Sequence, residues 1–221
     1  NKNRKLIPLI EERLKKKVQY RTIVSTDDEE IAEWASETPM KVVERPPELA
    51  EDETPIKPVL KHAIERQRLY PDDDVVLLYP TYPGRSYDDI TDVLHWYQQQ
   101  EARTCLCCQP PTLDTPTHLA VKVDDESNQG TFPYESEPVP YRRQDAEGTI
   151  GDYLDRPSDG SVPPIPYNVR ELSHFMCVFR ISELEYLSDN LFNDNTLYYE
   201  LGERVIDVDY EEDWEEYLEQ N

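Results

Sequence analysis

The run Val75-Val76-Leu77-Leu78-Tyr79 is short and apolar, and Pro80-Thr81-Tyr82-Pro83-Gly84-Arg85 closes it with two prolines that cannot continue a strand ladder. From Tyr87 to Gln100 the apolar positions recur at helical spacing. A buried strand, a rigid turn and an amphipathic helix in that order are the repeating parts of an α/β fold. The same rhythm precedes them. Arg21–Thr26 reads as a strand, Asp27-Asp28-Glu29-Glu30 opens a helix to about Ser36 with acids at its positive end, and Met40–Val43 reads as a second strand. Arg45 to Ala50 is too proline-rich for either element, and Pro55–Arg68 is helical beyond Pro58, with Val59, Leu60, Ala63 and Ile64 on one face. Leu6–Lys17 carries a helical pattern of its own. Strands at Thr104–Gln109, His118–Val123 and Phe175–Arg180 continue the sheet, and Ser182–Leu187 makes a short helix. The expectation is one α/β domain over residues 1–221, with a mostly parallel central sheet and helices on both faces. Between about 125 and 172 the pattern dissolves into Pro, Gly, Ser and Tyr, which reads as an insertion or flap.

Val205-Ile206-Asp207-Val208-Asp209 alternates β-branched residues with acids and runs into the acidic helical stretch Tyr210 to Gln220. Read as a strand, it projects Asp207 and Asp209 from one face about 6.6 Å apart, with Ile206 and Val208 turned to the core. Two carboxylates so held suit Mg2+, which takes one or two of them and keeps its other positions for water and phosphate oxygens. An edge strand whose acids discourage aggregation has the same pattern.

In open α/β sheets ligands meet the carboxyl ends of strands, so the turn at 80–85 is a substrate position and Arg85 is placed to meet an anion. The net charge of −24 argues against nucleic-acid or anionic-membrane partners. That charge is unevenly spread: residues 1–21 carry +6 and residues 22–221 carry −30. Lys2, Arg4 and Lys5 are the ligand candidates at the positive end, and Arg142-Arg143 suits bidentate capture of phosphate or carboxylate. Cys105, Cys107, Cys108 and Cys177 form no CxxC pair, so they read as small buried residues of a reducing, cytoplasmic compartment rather than zinc ligands. His62 and His95 fall on helices as surface or packing residues. No apolar run is long enough to span a bilayer.

Phosphate cradles of the common kinds need early glycines, and the first glycine here is Gly84. GxGxxG and Walker loops behind an early strand are therefore excluded, and no GxSxG supports a serine nucleophile.

The blocks IVSTDDEEIAEWA (23–35), ERPPELAEDETP (44–55), VVLLYPTYPGR (75–85), YRRQD (141–145) and VIDVDYEEDW (205–214) occur in the order found in cytidylyltransferases for acylneuraminates and related nonulosonic acids. The chain resembles that family over nearly its whole length. The resemblance implies a Rossmann-like nucleotidyltransferase fold, Mg2+ as cofactor, and a homodimer that transfers CMP from CTP to a sialic-acid-like sugar acid with release of pyrophosphate. It assigns Lys2, Asn3, Arg45, Asp52 and Thr54 to the nucleotide. Tyr79, Tyr82, Arg85, Arg142, Arg143 and Gln144 go to the sugar acid, Asp207 and Asp209 to the metal, and Asp209 and Arg143 to catalysis. The sequence departs from the family pattern in lacking its opening strand and glycine-rich loop. Tyr79 stands where the family has a glutamine, Tyr82 where it has a serine, and Ser173-His174 where it has asparagine-glycine. A binding homologue with altered catalysis, or a nucleotidyltransferase for another sugar, carries the same motifs.

Overall fold

Asp28 sets the helix that follows it. In the computed structural model, which describes residues 20–131, 148–154 and 164–220, its carboxylate accepts from the backbone N–H groups of Glu30 and Ile31 at 2.9 and 3.1 Å. Those N–H groups have no partner inside the helix, so a capping acid both satisfies them and complements the positive helix end. The helix, α1 (Glu29–Ser36), connects strands β1 (Ile23–Thr26) and β2 (Lys41–Glu44). These pair in parallel, Ile23 against Lys41 through Thr26 against Glu44.

Helix α2 (Ile56–Gln67) begins two residues before the proline at 58. The sequence suggested a start beyond it. Pro58 instead falls in the first turn, where an N–H has no intrahelical acceptor and proline costs nothing. Strand β3 (Asp74–Leu77) leads through the proline turn to α3 (Tyr87–Gln99). A reciprocal capping box starts α3: the Asp89 N–H donates to Ser86 Oγ at 3.2 Å and the Ser86 N–H to Asp89 Oδ2 at 2.7 Å.

The large sheet contains β3, β4 (Thr104–Gln109), β5 (Ala120–Val123), β6 (Gly130–Thr131), β7 (Val169–Arg180) and β8 (Leu197–Glu200). A short helix, α4 (Ile150–Tyr153), lies between β6 and β7, and α5 (Glu211–Gln220) follows β8. β7 is the spine. It is antiparallel to β3, β4 and β5, while β8 is parallel to β4. So β3, β4, β5 and β8 all point one way, and only β7 and β6 oppose them. The strand directions are mostly parallel as expected, but most ladder pairs are antiparallel because β7 lies between its neighbours.

β3 meets β7 at residues 177–180 and β5 meets it at 169–171, so the two share the edge of β7 opposite β4. The β4–β7 register breaks between Leu106, opposite Cys177, and Cys107, opposite Ser173, leaving His174, Phe175 and Met176 as extra residues in a bulge.

β4 is buried on both faces. Cys105 and Cys107 look toward Ile90, Val93, Leu94 and Tyr97 of α3, while Leu106 and Cys108 share a core with Leu60 of α2, Val121 and Phe179. Helices thus cover both faces, and period-two alternation in β4 feeds two separate cores. All four cysteines are free and buried, as read from the sequence.

Candidate functional site

The segment 205–209 is not a strand. It joins no ladder among the described residues. The Val205 N–H donates to Gln109 Oε1 at 3.1 Å, the Val208 N–H to the Thr81 carbonyl at 2.8 Å, and the Asp209 N–H to the Asp207 carbonyl at 3.1 Å. The β-branched residues that suggested a strand serve as anchors instead, with Val208 fully buried. Asp207 and Asp209 therefore do not share a strand face. Asp207 is half-buried, and Asp209 is exposed at the start of α5, where Asp213 Oδ2 accepts from the Asp209 and Tyr210 N–H groups at 2.8 and 2.6 Å.

The Val208–Thr81 hydrogen bond lays this segment over the turn that leaves β3. Tyr82, in that turn, is 4% exposed, and its hydroxyl faces the Asp207 carboxylate and the Ser173 hydroxyl. Burial above all, then the nearby Asp207 charge, holds the Tyr82 phenol well above its ordinary value. Its ring stands edge-on to Phe175 with centroids 5.7 Å apart.

Arg85 turns inward and is 3% exposed, which differs from the expectation that it meets an anion at the cleft. Its guanidinium donates to the Tyr79 carbonyl at 3.2 Å and to the Phe175 carbonyl. It also lies 5.5 Å from the Tyr82 ring centroid and 4.9 Å from that of Phe175. The physical reason is local. The turn and the β7 bulge leave carbonyls without ladder partners, and the arginine supplies donors to both. Burial pushes its pKa down to about 10, so it stays protonated near neutral pH.

Tyr79 is half-buried and meets His174 of the bulge edge-to-face, centroids 5.7 Å apart. Burial raises the Tyr79 phenol and lowers the His174 imidazole, so each is held in its neutral form. The bulge residues Ser173, His174 and Phe175 were not assigned to the site from sequence. The signal available was the Ser173-His174 pair standing directly before the apolar run Phe175–Phe179.

A second group gathers at the ends of β1 and β2. Arg45 donates through Nη2 to the Ser25 carbonyl at 2.7 Å and through its backbone N–H to the Thr26 carbonyl at 2.8 Å. A 3-10 turn, Pro47–Leu49, leads on to exposed Asp52 and half-buried Thr54, whose N–H donates to the Glu51 carbonyl at 3.0 Å. The described contacts unite Tyr79, Tyr82, Arg85 and Asp207 with the bulge, and Arg45 with Ser25, as two separate groups. Lys2, Asn3, Arg142, Arg143 and Gln144 lie outside the described residues.

Asp207 and Asp209 offer hard carboxylate oxygens two residues apart, a donor type that fits Mg2+. Among the described residues there is no group of three or more His, Cys, Asp or Glu able to hold a metal without other ligands. An ion there would draw the rest of its shell from water and substrate oxygens.

No helix among the described residues is long and apolar enough to cross a membrane. No protein-family model matches the chain. No curated protein sequence matches it either. The chain has the mixed α/β fold of a solved structure of CMP:2-keto-3-deoxy-manno-octonic acid synthetase complexed with CTP, to which it is similar with a TM-score of 0.62 and 13% identity over 97% of this chain and 86% of that one.

Proposed function

We propose that the protein transfers the CMP group of CTP to a sugar acid and releases pyrophosphate. The observation that carries this reading is the likeness, over 97% of the chain, to a synthetase of a CMP-linked keto-sugar acid complexed with CTP. The acceptor in this reading is a 2-keto-3-deoxy acid of that kind or of the related sialic-acid-like nonulosonic class. Its anomeric hydroxyl oxygen attacks the α-phosphorus, the bond from that phosphorus to the β-phosphate bridge breaks, and the hydroxyl proton passes to solvent. Such a displacement needs alignment and charge neutralisation more than a protein nucleophile.

Magnesium, when bound, neutralises the triphosphate and polarises the α-phosphate. Asp209 would hold it from the exposed start of α5, with Asp207 behind. Arg142, Arg143 and Gln144 would take the sugar acid and phosphates, with Arg143 stabilising the developing charge. Lys2, Asn3, Arg45, Asp52 and Thr54 would take the nucleotide. Tyr79 forms the acceptor-side wall, while Tyr82 and Arg85 stand behind it and keep the turn rigid. The family resemblance further implies a homodimer, which sedimentation of the full chain tests.

Incubation with CTP, magnesium and a panel of eight- and nine-carbon keto-sugar acids, with pyrophosphate monitored, tests the reading. Turnover with CTP supports it. Turnover with UTP or ATP but not CTP moves the activity to another nucleotide, and no turnover across the panel discards it. A second reading, a binding homologue with altered catalysis, is favoured by the Tyr82 phenol that faces Asp207. Nucleotide binding without turnover would support that alternative.

A further inference from the structure

Glu171, in the first half of β7, is 8% exposed and receives donors from three elements. Gln109 Nε2, at the end of β4, donates to its Oε1 at 2.8 Å. Thr115, in the loop before β5, donates through its hydroxyl to Oε2. Arg204 closes on both oxygens, Nη1 to Oε2 at 2.9 Å and Nη2 to Oε1 at 3.1 Å, and its Nη1 also donates to the Pro110 carbonyl at 2.8 Å. The Gln109 side chain is used at both ends, because its Oε1 accepts the Val205 N–H at 3.1 Å.

Arg204 and the Val205 N–H connect this cluster to the chain that carries the two acids. Behind it, the Leu201 N–H donates to the Cys108 carbonyl at 2.7 Å, and ahead of it Val208 is tied to Thr81 at 2.8 Å. Since 205–209 joins no ladder among the described residues, its place relative to the β3 turn is set by these discrete ties together with the burial of Val208. A bidentate arginine–carboxylate pair is the most directional of them. We infer that Glu171 and Arg204, with Gln109, are positioning residues that fix the acidic segment against the β3 turn, and that divalent-cation binding by Asp209 depends on them. The cation part rests on the magnesium reading given under Proposed function.

Arg204 is suited to the test because its side chain is 44% exposed, so truncation opens no core cavity. Arg204→Ala leaves Glu171 with the Gln109 and Thr115 donors. Arg204→Lys keeps the charge but cannot engage both carboxylate oxygens as a planar fork. Two readouts on the full chain follow: amide hydrogen exchange of peptides covering 201–209, with β4 peptides as internal control, and Mn2+ titration by water proton relaxation. Asp209→Asn defines which Mn2+ signal belongs to the site.

The expected result is faster exchange at 201–209 in Arg204→Ala with β4 unchanged. Mn2+ affinity at the site is expected to fall about 10- to 100-fold, the range for groups that orient a metal ligand, with Arg204→Lys in between. Unchanged exchange overturns the inference. So does unchanged Mn2+ affinity in Arg204→Ala when Asp209→Asn has lost the site. If Arg204→Ala does not fold, Glu171→Gln, which keeps the shape and removes the charge, is read by the same two outcomes. Should the unaltered protein and Asp209→Asn bind Mn2+ alike, the magnesium reading itself fails and the cation dependence falls with it. That outcome is distinct from loss of the site in Asp209→Asn alone.

Discussion

The Tyr82 hydroxyl faces the Asp207 carboxylate, setting the turn that leaves β3 against the segment that leads into α5. A phenol occupies a place where the resembled family has serine, and it reaches an acid that a serine could not. Tyr82→Phe keeps the ring against Phe175 and removes the hydroxyl that faces Asp207 and Ser173. The expected loss is about 1–2 kcal/mol, the cost of leaving a partly buried acceptor short of a donor. A urea midpoint equal to that of the unaltered protein would show that the hydroxyl contributes nothing.

Asp209→Asn should leave the fold intact, because the side chain is exposed and the substitution keeps its shape. Under the proposed function, pyrophosphate release should drop by roughly 100-fold or more, the scale seen when a group stabilising transition-state charge is removed. Undiminished turnover in that variant would remove Asp209 from the metal site.

Arg85→Met tests burial against ligand contact. The variant strands the Tyr79 and Phe175 carbonyls and deletes two cation–π contacts, so it should destabilise the protein by about 2–4 kcal/mol. A folded variant of normal stability with weakened anion binding would reverse this assignment.

His174 gives the stability curve a predictable slope. Burial holds its imidazole below the ordinary value of 6.5, so just beneath pH 6.5 the unfolded chain binds more protons than the native one. Its contribution is complete above that value and is lost as pH falls through the folded pKa. His174→Phe, which keeps an aromatic ring against Tyr79, should flatten this part of the curve in denaturant titrations above and below pH 6.5. Parallel curves for the two proteins would exclude the residue as a source of acid sensitivity.

The thiols should be inert in the native state. Burial pushes Cys108 up to about 12 and raises Cys105, Cys107 and Cys177 further still, so neither thiolate nor access is at hand. Ellman's reagent should titrate four thiols in denaturant and none promptly without it. Rapid native labelling of any one would show that β4 or β7 opens locally.

Much of the framework was legible because its local signals agree with its burial. Asp28 and Ser86 mark helix starts by their capping chemistry, and Thr104–Gln109 is apolar enough to be a strand buried on both faces. Leu197–Glu200 escaped notice, since four residues between polar turns carry little periodicity and their ladder partner, β4, lies far away in sequence. Val205–Asp209 misled for the opposite reason. Alternating Val, Ile and Asp is what a half-buried strand requires, but burial of Val208 alone satisfies that pattern without any partner strand. Arg85 could be placed at the β3 turn from its position, whereas the direction of its side chain depended on a bulge in β7 that no local rule announces. The Glu171–Arg204 contact unites residues 33 positions apart, and only Gln109, a polar residue closing an apolar strand, hinted at it.

β7 lies late in the chain and pairs with β3, β4 and β5, all made before it. As the polypeptide leaves the ribosome, those three strands, the last of them ending at Val123, wait for a common neighbour that begins only at Val169, with apolar edges open. Completion of the sheet is thus a late event in biosynthesis, and chaperone dependence should track any change that delays β7.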